Sequence, residues 1–369
     1  MLITDHHLPG EALPAADAIV NPNQPGCGFE SRALAGVGVA FYLLSRLRKV
    51  LEARGWFAGA GISPPAMAGF LDLVALGTVA DVVPLDRNNR ILVAQGLRRI
   101  RAGKCSAGIR TLLSVSGTNL SRVSTRDLAF GAAPRLNAAG RLDDMSIGIA
   151  CLLAEDDQQA LLIAARLDQL NRERREIEKE MKADAEEILK QETARHIRQD
   201  QKEQPAGLCL YAAGWHQGVV GILASRIKDR VNRPVIAFAA DDEGNLKGSG
   251  RSIKGFHIRD ALAHIDAMNP GMISRFGGHA MAAGLTLPAP HLQQFRDCFN
   301  HLAGQWLSAE ALEMTIVTDG ELTQKLSVKD VHEVLQSMPW GQGFPEPLFD
   351  GEFQIIDQRI VGGRHLKLK

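Results

Sequence analysis

The chain has 369 residues, 45% of them hydrophobic and 23% charged, with 42 basic residues balanced by 42 acidic ones. That length gives room for two or three domains, and the ordinary composition excludes a chain whose main state is disorder. With no apolar run of membrane-spanning length and no basic-then-apolar start, neither membrane insertion nor secretion is expected, and the expected location is cytoplasmic. Cys27, Cys105, Cys151, Cys209 and Cys298 are scattered and odd in number, which fits a reducing compartment rather than a disulfide framework or a zinc finger.

Met1–Thr4 reads as the tail of an apolar strand, with Asp5-His6-His7 directly after it. So short a stub ordinarily belongs to a sheet whose other strands come earlier, which predicts sequence upstream of Met1. Leu34–Leu51 predicts a buried helix, Met67–Ala80 an apolar helix that runs into Asp81, and Arg90–Arg101 an amphipathic basic helix. Leu128–Leu136 predicts an apolar segment leading into a Gly/Asn/Arg loop. From Arg87 to Arg141 basic residues recur and Asp127 is the only acid. Such a local field binds phosphate whatever the total charge, although by charge alone it equally describes a solvated face.

From Asp157 to about Arg198 there is no Gly or Pro, and Leu167, Leu170, Ile177, Met181 and Ile188 fall on one helical stripe. Glu178/Lys182 and Glu186/Lys190 are spaced as i,i+4 ion pairs. A long charged helix with a thin apolar stripe predicts a connector between domains. A compact α/β unit follows: strands at Gly207–Ala212 and Pro234–Ala239, a helix at Val219–Val231, a turn at Gly248–Ser252, a helix at Ile258–Met268, a Gly-rich loop at Phe276–Gly284, a short strand at Leu285–Leu287 and a closing helix at Gln293–Trp306. Beyond Ala309, β-like segments at Met314–Val317, Phe353–Ile356 and Val361–Lys369 predict a β domain that is itself incomplete.

Asp-His-His at the carboxyl end of a strand sits where open α/β sheets hold ligands. Mixed imidazole and carboxylate donors suit Mn²⁺ or a similar divalent ion. Two adjacent histidines split most naturally into one metal ligand and one group facing the substrate. Taken alone, the three residues also describe capped surface histidines. Asp81 ends an apolar segment, where a carboxylate is costly unless paired or metal-bound; a helix or turn cap explains it equally. Trp215-His216-Gln217-Gly218 precedes a helix, so its backbone N–H groups are placed for an anion, while Trp215 suits either a base stack or a core.

Asp5-His6-His7 followed by Gly77-Thr78-Val79-Ala80-Asp81 resembles the third and fourth motifs of the DHH phosphoesterase superfamily. Arg275-Phe276-Gly277-Gly278-His279 through Gly284 resembles the signature of the accessory DHHA1 domain, with Gly248–Ser252 as its companion loop. Phe130–Arg141, with two arginines flanking small residues, and the order of all these motifs resemble the RecJ-type exonucleases. The implied fold is α/β: the C-terminal part of a DHH parallel-sheet domain at 1–155, a long connecting helix at 156–200, a DHHA1 domain at 201–308 and the start of an OB-fold-like β domain at 309–369.

The resemblance implies that His6 and Asp81 are metal ligands and that His7 is the phosphate-facing catalytic residue, supported by Asp5. It implies Mn²⁺ or Mg²⁺ in a two-metal site, and DNA or phosphate contacts from Arg135, Asn137, Arg141, Trp215, His216, Ser249, Arg251, Gly277, Gly278 and His279. The implied activity is 5′→3′ release of 5′-mononucleotides from single-stranded DNA in recombination and repair. The implied partners are single-stranded DNA, single-stranded-DNA-binding protein and a repair helicase. The superfamily's first two motifs precede Asp-His-His and supply further aspartates, so this chain alone is expected to be inactive. Two other readings stay open: an oligonucleotide or cyclic-dinucleotide phosphodiesterase of the same superfamily, which usually lacks the appended β domain, and a non-catalytic piece that binds single strands. The tRNA-editing proteins that share the DHHA1 portion should carry Cys/His zinc motifs, and none is visible.

Overall fold

The structure, a computed structural model, describes residues 1–10, 12–198, 205–322, 327–363 and 365–369, with 192–198 described by their backbone alone. The expected connecting helix and accessory domain meet at 199–204, outside the described residues, as do 323–326 and 364 of the expected β domain. Two compact units emerge: Met1–Pro134 with Cys151–Leu161 and Ile316–Lys369, and Arg135–Ala150 with Leu162–Thr315. All five cysteines are free thiols.

In the first unit, β1 (Leu2–Thr4) and β2 (Ala18–Val20) pair in parallel, Ile3 opposite Ile19. Helix α1 (Gly36–Ala53) buries Val39 but leaves Leu44 and Leu47 about half exposed, so the expected buried helix is buried on one side only. Helix α2 (Leu71–Ala80) is apolar on nearly every side because neighbours cover it on both flanks. Toward α1, a Cβ on Gly77 would come within 2.7 Å of Val37 Cγ1. Toward α3 (Arg87–Arg101), a Cβ on Gly96 would come within 2.2 Å of the Leu71 carbonyl oxygen. The α2–α3 contact therefore needs glycine. Gly96→Ala is expected to cost about 1–3 kcal/mol of stability by overpacking, read as a lower urea midpoint at unchanged slope.

Capping fixes the ends of these helices. Asp86 accepts from the Asn89 backbone N–H at 2.8 Å and from Ser31 Oγ at 2.6 Å. Asp72, buried in the first turn of α2, accepts from the Ser106 backbone N–H at 2.7 Å, just before α4 (Ala107–Val115).

The segment expected as a Gly/Asn/Arg loop is helical. Leu128–Ala132 forms a π turn and α5 (Ala133–Leu142) continues from it. The wide turn lies just before Pro134, whose ring would otherwise press on a carbonyl of the preceding turn. Arg135, Asn137 and Arg141 thus project from a helix rather than a loop.

Helix α6 (Asp157–Arg198) is a single element as expected, but it is more than a connector. Met181 and Ala185 are buried in the second unit's core, with Ile177 and Ile188 packed against the same cluster. The two expected ion pairs do not form. Glu178 is held by Arg174 and Arg226, and Glu186 by Arg230 and Lys182, because neighbouring cations outcompete the lysine one turn on.

The rest of the second unit is a five-stranded sheet in the order β3 (Leu208–Tyr211), β4 (Val235–Ala240), β5 (Asn245–Arg251), β7 (Ala282–Pro288), β6 (Arg275–Gly278). Only β3–β4 is parallel. Helices α8 (Ile258–Met268) and α9 (Leu292–Trp306) contribute to the core on one face, around Ile236, Phe238, Leu285 and Phe295. Helix α7 (Val220–Val231) and α6 pack over Val235, Ala237 and Ala239 on the other. Two expectations change here. Gly248–Ser252 is not a turn: Gly248–Arg251 is the end of strand β5. The Gly-rich loop Phe276–Gly284 is a hairpin made by β6 and β7.

In the C-terminal region, β8 (Gln358–Val361) and β9 (His365–Leu368) form an antiparallel hairpin. Met314–Val317 and Phe353–Ile356 are not strands; their apolar side chains are exposed and no described strand pairs with them. A helix that the sequence reading lacked, α10 (Val328–Ser337), starts where Ser327 caps the Asp330 N–H. No closed barrel is present among the described residues.

Candidate metal centre and phosphate-binding face

Strand β1 delivers Asp5-His6-His7, and the end of α2 delivers Asp81 as its C-cap. The two segments, 75 residues apart, meet: His6 Nε2 lies 3.2 Å from Asp81 Oδ2. A carboxylate at a helix C-terminus faces the negative end of the helix dipole, so a cation there is favourable. His6 is largely shielded and Asp81 is partly open, with 18% and 42% of their side-chain surfaces exposed, so the pair is reachable from solvent. One imidazole nitrogen and one carboxylate oxygen converging in this way fit a divalent ion of the Mn²⁺ or Mg²⁺ type. Among the described residues, no cluster of three or more His, Cys, Asp or Glu is placed to hold a metal.

Asp5 does a different job. Its Oδ1 accepts from the His6 backbone N–H at 2.7 Å and the His7 backbone N–H at 3.1 Å, and it lies 2.8 Å from His7 Nδ1. The hydrogen bonds from the His7 ring and backbone hold its carboxyl down at about 2. An ionised Asp5 facing Nδ1 fixes the His7 ring and leaves Nε2 of that exposed side chain outward. The rings of His6 and His7 are 4.4 Å apart.

Sequence reasoning missed two residues that hold this loop. Asn23 Nδ2 donates to the His6 carbonyl at 2.7 Å, and Asn21 Nδ2 to the His7 carbonyl at 2.8 Å. The available signal was Asn21-Pro22-Asn23, a turn sequence directly after a strand. Val82, next after Asp81, has φ of 58°. A β-branched residue is strained there, and the surrounding structure must hold it.

The second group of candidate residues lies in the second unit. Ser249 and Arg251 alternate along β5 with buried neighbours, so both face away from the α8–α9 core. Gly284 of β7 and Gly277 of β6 continue that face by register, Ser249 opposite Gly284 and Gly277 opposite Gly284. Arg251 Nη1 donates to Ser249 Oγ at 3.2 Å and to the Gly250 carbonyl at 2.8 Å. Helix α7 leaves room at this point because residue 221 is glycine: a Cβ there would lie 2.9 Å from Ser249 Oγ and 3.0 Å from Arg251 Nη2.

Arg141 approaches the start of α7, donating from Nη1 to the Gly218 carbonyl at 2.9 Å. Burial lowers the pKa of Arg251, and the charge of Arg141 adds to this. The Arg141 pKa is also lowered by burial and then by Arg174, although Arg141 keeps much of its residue surface open. Guanidinium groups such as these match the paired oxygens of a phosphate.

The remaining candidates differ in their surroundings. Arg135 is committed to the buried Asp168, from Nε at 2.9 Å and Nη2 at 2.7 Å, and so ties α5 to α6. Trp215 is 5% exposed and donates Nε1–H to Asp184 at 3.2 Å, which makes it a core residue and not a base platform. His216 Nδ1 accepts from the Gly218 N–H at 3.0 Å. Asn137 is exposed on α5. Gly278 has φ of 141° and packs against the Ala282 carbonyl, which no side chain would permit. His279 is exposed at the hairpin turn and bonds through its backbone N–H to the Ala282 carbonyl at 2.8 Å, across the ladder from Arg251.

Family models match three segments of the chain: the DHH family N-terminal domain at residues 1–78, the DHHA1 domain at 205–305 and the RecJ OB domain at 318–369. The "Single-stranded-DNA-specific exonuclease RecJ" of Dickeya dadantii is 55% identical over 369 residues, which is 100% of this chain and 63% of that protein. The chain belongs to the RecJ family. The crystal structure of RecJ in complex with Mn²⁺ from Thermus thermophilus matches with a TM-score of 0.77 at 30% identity, covering 100% of this chain and 51% of that one. Exonuclease RecJ bound to manganese matches with a TM-score of 0.62 at 32% identity, covering 83% of this chain and 69% of that one. This RecJ-family chain thus spans 63% of the length of the curated relative from Dickeya. Among the described residues no helix is long and apolar enough to cross a membrane.

Proposed function

We propose that this chain forms part of a 5′→3′ exonuclease that hydrolyses single-stranded DNA to 5′-mononucleotides with the help of Mn²⁺ or Mg²⁺. The observation that carries the reading is the meeting of His6 and Asp81 at 3.2 Å. His6 and Asp81 would hold one ion. That ion, when bound, supplies Lewis-acid charge and an activated water for phosphodiester cleavage. His7, oriented by Asp5, would face the scissile phosphate. Arg141, Ser249 and Arg251 would grip the backbone, with Gly277 and Gly278 leaving room for it and His279, His216 and Asn137 at the margins. Arg135 and Trp215 would brace these groups rather than touch DNA.

The domain limits proposed with this reading are 1–155, 156–200, 201–308 and 309–369. The proposed setting is cytoplasmic recombination and repair, with single-stranded-DNA-binding protein and a repair helicase as partners. The match to the RecJ OB domain at 318–369 favours this over a dinucleotide phosphodiesterase of the same superfamily.

Two protein ligands are fewer than a two-metal centre uses. The 369 residues by themselves are therefore expected to bind single strands with a steep salt dependence and to show no measurable Mn²⁺-dependent digestion. A ladder of mononucleotide products from this chain alone would overturn the ligand assignment.

A further inference from the structure

The turn that carries Asp81 into α3 is gripped by a segment more than 250 residues later in the chain, within the first unit. The Leu85 backbone N–H donates to the Gln342 carbonyl at 2.6 Å. Gly341 and Phe344 bridge each other through both backbone groups, which makes residues 341–344 a tight hairpin. That hairpin lies so close to the turn that a Cβ on Gly341 would come within 2.7 Å of Leu85 Cδ1, and one on Gly343 within 3.3 Å of Pro84 Cβ. Gly343 also has φ of 70°, which a side chain would strain.

The grip is anchored on both sides. The Phe344 ring stacks on Trp340 at 4.8 Å and lies under the Arg90 guanidinium at 4.3 Å. Arg90 in turn donates to the Leu85 carbonyl at 3.1 Å. Thr125 Oγ1 donates to the Trp340 carbonyl at 2.7 Å, and Trp340 Nε1 to the Leu335 carbonyl at 2.7 Å. From the other side, the buried Asn89 donates to the Pro84 carbonyl at 2.9 Å. Leu85 is thereby 3% exposed in a turn whose first residues, Asp81 and Val82, are open to solvent.

We infer that residues 340–344 are a positioning device for the metal centre: they clamp the Val82–Asp86 turn and so hold Asp81 at the end of α2 in reach of His6. The strained backbone at Val82 fits this, since an unsupported turn would relax out of positive φ. The segment lies inside the stretch matched by the RecJ OB domain, so that domain would serve the metal site as well as any strand it binds. The inference rests on the reading of Asp81 as a metal ligand.

The test uses the 369-residue chain carrying Gly341→Val, which drives the hairpin off Leu85, and separately Phe344→Ala, which removes the ring under Arg90 without adding atoms. Asp81→Asn is the control. Two quantities are read: amide hydrogen exchange in the 82–86 turn, and Mn²⁺ affinity by paramagnetic resonance titration, with melting curves to show that each variant folds. Both clamp variants are expected to speed exchange in the turn at least about tenfold and to weaken Mn²⁺ binding by about three- to tenfold, less than the roughly 10–100-fold that loss of a direct partner of a metal ligand costs, because the clamp acts on Asp81 only through the turn. Unchanged Mn²⁺ affinity in folded clamp variants, with the normal loss in Asp81→Asn, would overturn the clamp alone. Unchanged affinity in Asp81→Asn would overturn the ligand reading and the clamp with it.

Discussion

Asp81→Asn is expected to weaken Mn²⁺ binding at least about tenfold while the fold survives, because removing even an outer-shell partner of a metal ligand costs about 10–100-fold. The substitution keeps the size of the side chain and its place at the end of α2, so it tests the charge and not the packing. His6→Ala is expected to act on the same ion from the other side. The two changes should therefore fail to add: once either donor is lost, loss of the second costs little more, as expected for residues that serve one ligand. Titration of Mn²⁺ by paramagnetic resonance reads all three proteins. Independent, additive losses would mean that His6 and Asp81, although 3.2 Å apart, do not share an ion.

Arg251→Ala is the second large expectation, and it bears on the strand and not the metal. Arg251 is partly buried on β5 and its guanidinium is already oriented by Ser249 and the Gly250 carbonyl. A pre-oriented guanidinium loses little freedom when it takes a phosphate. Its removal is expected to lower affinity for an oligonucleotide single strand by roughly tenfold to a hundredfold, the range of a charge-assisted hydrogen bond. The slope of log affinity against log salt should shrink by about 0.7, the value for one phosphate contact on a single strand. Fluorescence anisotropy at several salt concentrations gives both numbers. A lower affinity with an unchanged slope would place Arg251 in the scaffold and outside the phosphate contact.

The periodic elements were legible from the sequence. The α6 stripe and the helices at Arg87–Arg101, Val220–Val231 and Ile258–Met268 are long enough for 3.6-residue spacing to dominate. The failures have local causes. Gly248 and Gly250 look like turn residues, yet they sit in a strand because the core is pressed against it: a Cβ on Gly248 would lie 2.5 Å from Leu285 Cδ2, and one on Gly250 2.5 Å from Ile258 Cδ1. Here glycine serves close packing and not chain reversal. Pro134, Asn137 and Gly140 likewise suggest a loop, but the π turn just before Pro134 lets a helix run through them.

At the site, no local pattern could predict that His6 would meet Asp81; the resemblance alone linked them, since the contact depends on how α2 is wedged between its neighbours. The commitment of Arg135 to Asp168 was equally invisible, because an arginine in a basic stretch reads the same whether it faces a phosphate or a buried acid. Asn21 and Asn23 were missed because they act on carbonyl groups, which leave no trace in composition.

The face of β5, β7 and β6 that is turned away from α8 and α9 has a further consequence. Along Ser249, Arg251, Gly284 and Gly277 it presents a hydroxyl, a guanidinium and bare backbone. Such groups complement the sugar–phosphate chain, which is the same at every nucleotide, and carry no direct information about the base. If it binds a strand as proposed, a surface of this kind is indifferent to the text of that strand. On the proposed reading it would let successive nucleotides advance over it without favoured or forbidden letters, as a sequence-independent exonuclease would require.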